Sequence, residues 1–175
     1  MENQILQVLK NRRSIRRFKE EKVDKEIIEQ VLKAGLLAPS SKNKKPVEFI
    51  VVEDKETLLG LKDSKDKGTE GLKTASFAIV VIADSQLSDV WVEDASIAAI
   101  LIQIAASELG LGSCWIQIRN RKNDTVDSED EVRKILNIPD KYSVLSIMAL
   151  GYKDEDYASY DDKAYDFSKV HYGKY

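Results

Sequence analysis

The stretch WVEDASIAAILIQIAASELGLGSCW, residues 91–115, decides the fold. Between Asp94 and Glu108 it carries no charge, only Ala, Ile and Leu with Ser96, Gln103 and Ser107 among them. Ile97, Ile100, Leu101, Ile104 and Leu109 form one helical stripe, and Ala98, Ala99, Ile102, Ala105 and Ala106 cover most of the rest. A helix that is apolar nearly all round is buried on all sides. The run is too short for a membrane span, which needs roughly 20 apolar residues. It therefore reads as a central helix, inside a large core or between two chains, with alanines that let another backbone come close. Gly110 and Gly112 stop it, and Ser113 to Ile118 read as a strand leaving at once.

Working outward, Tyr142 to Leu150 (YSVLSIMAL) is a strand closed by Gly151, and Ser76 to Ala83 (SFAIVVIA) is a continuous apolar run, as in a strand buried on both faces. Val47 to Val52 is a third strand, rich in β-formers. Residues 2–10, 55–61 and the segment opened by Ser128-Glu129-Asp130-Glu131 read as helices. Ser128 is expected as the N-cap of the last, with Glu131 as its capping-box partner. Asp24 opens a further helix carried by Ile27, Ile28, Val31, Leu32 and Leu36, which ends before Pro39. Lys62 to Lys73 is the most polar stretch and is expected to be the most mobile. The tail from Tyr152 has no clear period and reads as an extended arm. Helices alternating with strands in this order make a layered α/β or α+β domain.

The 175 residues are most simply one domain, 1–175, with a C-terminal arm over 152–175. Apolar content of 43% and charged content of 33% describe an ordinary soluble protein. The net charge of −3 argues against a nucleic-acid partner. One Cys and one His exclude a disulfide framework and argue against a zinc site. No membrane partner is expected. The N-terminal residues lack the apolar core of a signal peptide, so a cytoplasmic location is expected.

Arg12, Arg13, Ser14 and Arg16 are the sharpest polar cluster. Guanidinium forks bind phosphate bidentately and a serine hydroxyl adds a donor; a solvated basic turn would use the same residues, and both readings stay open. No glycine-rich nucleotide loop accompanies the cluster. Pro39-Ser40-Ser41-Lys42-Asn43 offers donors and acceptors suited to a planar heterocycle, although a plain helix-to-strand loop uses the same residue types. Cys114, in an apolar strand, reads as structural, His171 as an arm-packing residue, Asp94 as a helix cap and Lys163 as an exposed tail lysine.

These pieces together resemble the flavin-dependent nitroreductase family. Arg12-Arg13-Ser14-Ile15-Arg16-Arg17-Phe18 is similar to its Arg-x-Ser-x-Arg phosphate motif, and Ala38-Pro39-Ser40-Ser41-Lys42-Asn43 to its Pro-Ser-x-x-Asn loop. Glu93-Asp94-Ala95 through Leu109-Gly110-Leu111-Gly112-Ser113-Cys114-Trp115 is similar to its central helix and glycine turn. Leu136-Asn137-Ile138-Pro139 with Leu150-Gly151-Tyr152 is similar to its closing helix and strand. The match runs over nearly the whole chain.

The resemblance implies an α+β fold with a central, mostly antiparallel sheet flanked by helices, and the central helix buried at a homodimer interface. It implies FMN as cofactor and NAD(P)H and a small-molecule electron acceptor as partners. Arg12, Ser14 and Arg16 would hold the phosphate and ribityl chain, with Arg13 adjacent. Pro39, Ser40, Ser41 and Asn43 would reach the flavin, often from the other subunit. Trp115, Ile116, Gln117 and Ile118 would run along the ring, and Lys163 would be a C-terminal contact to the phosphate. The implied chemistry needs no protein nucleophile: hydride passes from a nicotinamide to the flavin, then to a nitroaromatic or quinone, in ping-pong order. The alternatives are another flavin reaction on the same scaffold, such as flavin reduction or dehalogenation, and a protein that binds FMN or another anion without turnover.

The chain departs from the family pattern at Lys45-Pro46-Val47, where Gln-Pro-Trp is common. It departs at Ile118, where many members have glycine and where a crowded flavin edge is expected. The usual Lys-x-Arg stands as Lys163-Ala164-Tyr165. Lys62 to Lys73 is the candidate for a small substrate lid.

Overall fold

The computed structural model describes residues 3–175. Four strands, β1 (Val47–Val52), β2 (Phe77–Asp84), β3 (Leu111–Gln117) and β4 (Tyr142–Tyr152), form one sheet in the order β1-β2-β4-β3, with every pair antiparallel. Among the described residues, five α-helices flank it: α1 (Gln4–Asn11), α2 (Lys25–Leu36), α3 (Lys55–Asp63), α4 (Trp91–Glu108) and α5 (Ser128–Leu136). The expected order of elements is the observed one. Residue 2, expected at the start of the first helix, lies outside the described residues.

Alternation along β2 sorts the two sides of the core. Ala78, Val80 and Ile82 point into a cluster with Leu58 and Leu61 of α3 and Val132 of α5. Phe77, Ile79, Val81 and Ala83 point into a second cluster with Ile28 and Val31 of α2 and Ala95, Ala99, Ile102 and Ala106 of α4. The sheet is thus the middle of three layers, which is why β2 reads as an unbroken apolar run. A bulge in β4 leaves the Leu145 carbonyl accepting the N–H groups of both Ile118 and Arg119, each at 3.1 Å. β3 ends there, and the chain turns away.

The expectation that α4 is buried on every side holds only in part. Ala95, Ala98, Ala99, Ile102 and Ala106 are buried, but Ile97 and Ile100 remain 39% and 38% exposed. One sheet face and two helices cannot enclose a whole helix. The uncovered stripe continues onto Ile5, Leu6 and Leu9 of α1 and Leu36 and Leu37 at the end of α2. Close approach is achieved through Gly35 of α2: a Cβ there would stand 2.8 Å from Phe49 and 2.9 Å from Ile102.

Gly110, at φ +80°, ends α4 as expected. Gly112 serves a different purpose, since a Cβ on it would meet Ile15 at 2.9 Å. At α5 the cap differs from the expectation. Asp127 takes the N-cap position without a side-chain bond, and Ser128 is the first helical residue, its hydroxyl buried and unpartnered among the described residues. Glu129 is drawn instead to the Val144 N–H at 3.0 Å and to Arg133 at 2.8 Å.

The arm after β4 is extended apart from two short turns, Asp162–Ala164 and Phe167–Lys169. It returns across the end of α1, where the Tyr160 N–H donates to the Lys10 carbonyl at 3.0 Å and Lys10 pairs with Asp162 at 3.0 Å. Lys62 to Lys73 is anchored rather than free. Ser64, Thr69, Gly71 and Leu72 within it are buried, Leu72 completely, because α3 and the turn Glu70–Lys73 hand their apolar side chains to the core.

Candidate functional site

The arginine segment lies along the open edge of β3. Ser14 bridges Ser113, and the Ile15 N–H donates to the Ser113 carbonyl at 2.9 Å. Ile15 and Phe18 are both buried in the core and act as two anchors. The Phe18 N–H also donates to the Thr74 hydroxyl at 3.1 Å. Below, Gln103 of α4 donates to the Ser113 hydroxyl at 3.2 Å, and both residues are buried. The turn is thereby fixed while its basic side chains face outward.

The arm divides those side chains into two sets. Arg17 pairs with Asp154 and donates to its carbonyl at 2.8 Å. Arg13 donates to the Ala158 carbonyl and lies over the rings of Tyr160 and Tyr157, 4.5 and 5.4 Å from their centroids. Glu155 accepts the backbone N–H groups of Arg16 and Arg17. Among the described residues, the guanidinium groups of Arg12 and Arg16 have neither a hydrogen-bond partner nor an ion-pair partner. Arg12, Ser14 and Arg16 are therefore the part of the sequence-predicted set free to hold an anion, while Arg13 is committed to the arm. Lys163 is exposed, and its backbone N–H closes a turn onto Asp161.

The rest of the edge follows from strand alternation. The Ile118 N–H donates to Leu145, and the Ser113 carbonyl faces the arginine segment. Even-numbered residues of β3 thus point their backbone groups at β4, and odd-numbered ones point them off the sheet. The amides of Trp115 and Gln117 face the open edge. Ile116 and Ile118 do not, and their side chains are buried in the core. The expected crowding at Ile118 is absent, because its side chain lies inside the protein. The Trp115 indole donates to the Gln117 side chain at 2.9 Å, which in turn donates to the Arg119 carbonyl at 2.9 Å.

Cys114 lies in the same strand. Burial pushes its thiol up, with Arg16 pulling it back and Glu155 adding to the rise. A buried thiol held in its neutral form suits a structural place in the core. Lys65 stands near the same edge, its ammonium lowered by burial and then by Arg121. Sequence reasoning did not single it out, and a lysine inside KDSKDKGTEGLK carries no signal that would.

The second predicted cluster is elsewhere. Residues 39–46 run across the start of β1, the opposite edge of the sheet. Ser40 and Ser41 are half-buried, and Pro39 and Asn43 are exposed. Asp94 does not cap α4. It is 3% exposed, and its carboxylate accepts the Ser41 N–H at 2.8 Å and the Ser88 hydroxyl at 2.9 Å. The Ser40 hydroxyl accepts the Lys45 N–H at 2.8 Å, and Lys44 donates to the Leu87 carbonyl at 2.7 Å.

One chain does not bring the two clusters together. The β1 and β3 edges are three strand spacings apart, about 14 Å. Along α4, Asp94 under the loop and Gln103 under the arginine turn are separated by about 13 Å of helix rise. No helix among the described residues is long and apolar enough to cross a membrane. None of their His, Cys, Asp and Glu side chains form a group of three able to hold a metal ion.

Comparison with known proteins extends this picture. The sequence model of the Nitroreductase family matches residues 9–67 and 59–152. An FMN-dependent nitroreductase from Clostridium difficile R20291 superposes with a TM-score of 0.95 at 50% identity, over 97% of this chain and 99% of that one. A protein of Archaeoglobus fulgidus with the provisional name NADH dehydrogenase/NAD(P)H nitroreductase is 41% identical over 164 residues, covering 90% of this chain and 91% of its own. A Desulfovibrio desulfuricans protein, provisionally a nitroreductase and crystallised in complex with FMN, is 26% identical with a TM-score of 0.76, over 94% and 95% of the two chains.

Proposed function

The chain belongs to the nitroreductase family, and from that premise we propose that it is an FMN-dependent oxidoreductase, linked to NAD(P)H, working as a homodimer in the cytoplasm. The observation that carries the reading is the edge of β3. Two guanidinium groups without a partner among the described residues, Arg12 and Arg16, stand beside two outward amides, those of Trp115 and Gln117. Such a set is rich in donors, with the Trp115 carbonyl facing the same edge. It fits a ligand with a phosphate at one end and acceptor atoms along a flat edge, and FMN has that shape.

When bound, FMN supplies a ring that takes hydride from NAD(P)H and passes it to a nitroaromatic, quinone or similar acceptor in ping-pong order. Arg12, Ser14 and Arg16 hold the phosphate and ribityl end by charge-assisted bonds. The amides of Trp115 and Gln117 orient the ring and favour negative charge on it. Arg16 and Lys65 add positive potential at the same edge. No side chain has to exchange a proton or form a covalent bond.

The homodimer supplies what one chain lacks. Pro39, Ser40, Ser41 and Asn43 lie at the opposite edge of the sheet from their own arginine turn, and on this reading they serve the site of a second copy. The uncovered stripe of Ile97, Ile100, Ile5, Leu6 and Leu9 supports that assembly. The groove beside it, about 350 Å³, is lined by Ile5, Val8, Ala34, Leu101, Ile104 and Ala105.

The test is the visible spectrum of the purified protein, followed by heat release and chromatography of what is bound. Twin flavin bands, with FMN in the supernatant at one per chain, are expected. Steady-state NAD(P)H oxidation with an added acceptor should then run for many turnovers. A colourless protein that takes up no added FMN would defeat the reading. A single reduction without turnover would leave a flavin-binding protein instead of an enzyme.

A further inference from the structure

The loop of residues 39–46 holds an unfavourable backbone. Lys42, Asn43 and Lys45 sit at φ +51°, +53° and +49°, a left-handed region that non-glycine residues with a Cβ adopt at a cost. Lysine has no short polar group with which to offset that cost locally. Something outside the loop must fix it, and few bonds are available to do so. Within the loop, the Asn43 and Lys44 N–H groups close a tight turn onto Ser40 and Ser41, and the Lys45 N–H reaches the Ser40 hydroxyl. The anchor from below is Asp94. Its carboxylate takes the Ser41 N–H with one oxygen and the Ser88 hydroxyl with the other, so one buried side chain ties the loop both to the first turn of α4 and to the segment after β2. The same carboxylate lines a cavity of about 80 Å³ under the loop, together with Gly35, Ala38, Pro39, Ser40 and Val47. The other holds lie toward the far end of the loop, where Lys44 donates to the Leu87 carbonyl, the Pro46 carbonyl accepts the Asp84 N–H and Pro46 is buried, so the Ser40–Ser41 end depends on Asp94.

We propose that Asp94 is the positioning residue of the flavin site: by holding the Ser40–Lys45 loop in its left-handed form, it sets how Ser40, Ser41 and Asn43 meet the flavin of the neighbouring subunit. The flavin contact rests on the function proposed above, while the hold on the loop does not. The geometry also says which replacement is tolerated. An asparagine can accept the Ser41 N–H through its carbonyl and donate to the Ser88 hydroxyl, which can reverse its own bond. Alanine keeps neither bond and enlarges the cavity.

Two measurements separate the parts. Trypsin cuts after Lys42 and Lys44, while Lys45 is protected by Pro46. In the flavin-free protein, cleavage there should be about tenfold faster in D94A, as expected when a buried hydrogen-bonded tie is removed, and near the wild-type rate in D94N. FMN affinity, followed by quenching of flavin fluorescence, should fall by about the same factor in D94A and recover in D94N. N43A should weaken FMN in the wild-type background and add little in the D94A background, because both changes remove one contact by different routes. A folded D94A with wild-type cleavage would overturn the hold on the loop. So would a D94N variant that behaves like alanine. Should D94A not fold, Asp94→Ser, whose side chain is too short to reach both partners, takes its place, and unaltered cleavage in that variant overturns the tie equally. Faster cleavage with unchanged FMN affinity would overturn the role toward flavin alone. A wild-type protein that binds no FMN would defeat the function proposed above and leave the cleavage result to decide the tie.

Discussion

The arginine turn and the serine–asparagine loop are both polar, both at sheet edges and both assigned to one ligand, yet they are held by opposite means. The turn of residues 12–18 is pinned by hydrophobic anchors: Ile15 and Phe18 are buried in the core, and Gly112 gives way so that Ile15 can sit against β3. In the loop of residues 39–46 only Pro46, at its far end, is buried. The loop is held by hydrogen bonds around Asp94 and keeps three left-handed residues. Hydrophobic anchoring tolerates changes among its polar side chains, because the packing remains. Anchoring by one buried carboxylate is more fragile, because the bonds that tie Ser41 and Ser88 meet on a single group.

The largest effect expected from this contrast is in Phe18→Ala. Removing a buried ring costs about 3–5 kcal/mol. Thermal unfolding should therefore drop sharply and FMN should be lost with it. A variant with near-native stability would show that the turn is not anchored by packing.

Next comes the uncovered stripe. Ile97→Asp together with Ile100→Asp should give a monomer by light scattering that has also lost flavin, since the loop then has no second copy to serve. A monomer that keeps tight FMN would mean that one chain completes the site. Ala98 does not serve for this test, because it is fully buried within one chain and a charge there would strike the fold itself.

Arg12→Ala should follow. Loss of a charged bond to phosphate costs about 1.5–3 kcal/mol, or roughly ten- to a hundredfold in FMN affinity. The flavin-free protein should unfold at the wild-type temperature. Retention of stoichiometric FMN would remove Arg12 from the site.

Arg13→Ala sharpens the contrast within the turn. Its guanidinium faces Tyr157 and Tyr160, so the expected change is a looser arm, read as faster proteolysis after residue 153, with FMN affinity altered only a few-fold, in keeping with an exposed cation–π contact of about 0.5–1 kcal/mol. An effect on FMN as large as that of Arg12 would show that the arm does not hold Arg13 in solution.

The smallest effect concerns Cys114. Burial raises its thiol, so the neutral form prevails through neutral pH, and iodoacetamide should label it at pH 8 only when the chain opens. The sign for stability follows. A raised thiol contributes below the unfolded value, near 8.5, and that contribution fades as pH climbs past it. Rapid labelling of the folded protein would place Cys114 at an open surface.

Much of the fold was legible in the residues. The two-sided burial of β2 was written in SFAIVVIA, and the end of α4 in Gly110. The family was carried by the order of four short motifs. The site was legible as residue types but not as directions. Trp115 and Gln117 could not be told from Ile116 and Ile118 until β4 fixed which amides the sheet consumes. Arg13 could not be told from Arg12 until the arm came back over α1. Asp94 read as a cap because its partners, Ser41 and Ser88, lie 53 and 6 residues away.

The sequence by itself determined the elements, their order, the two-faced core strand and the residue types that could bind an anion. Those follow from periodicity and local chemistry, which act over a few neighbouring residues. Only the tertiary structure decided which arginines stay free, which amides face outward, and that Asp94 holds a loop. Each of those depends on a partner brought in from far along the chain, and the identity of a hydrogen-bond or packing partner is a property of the folded surface, not of the spacing of residues.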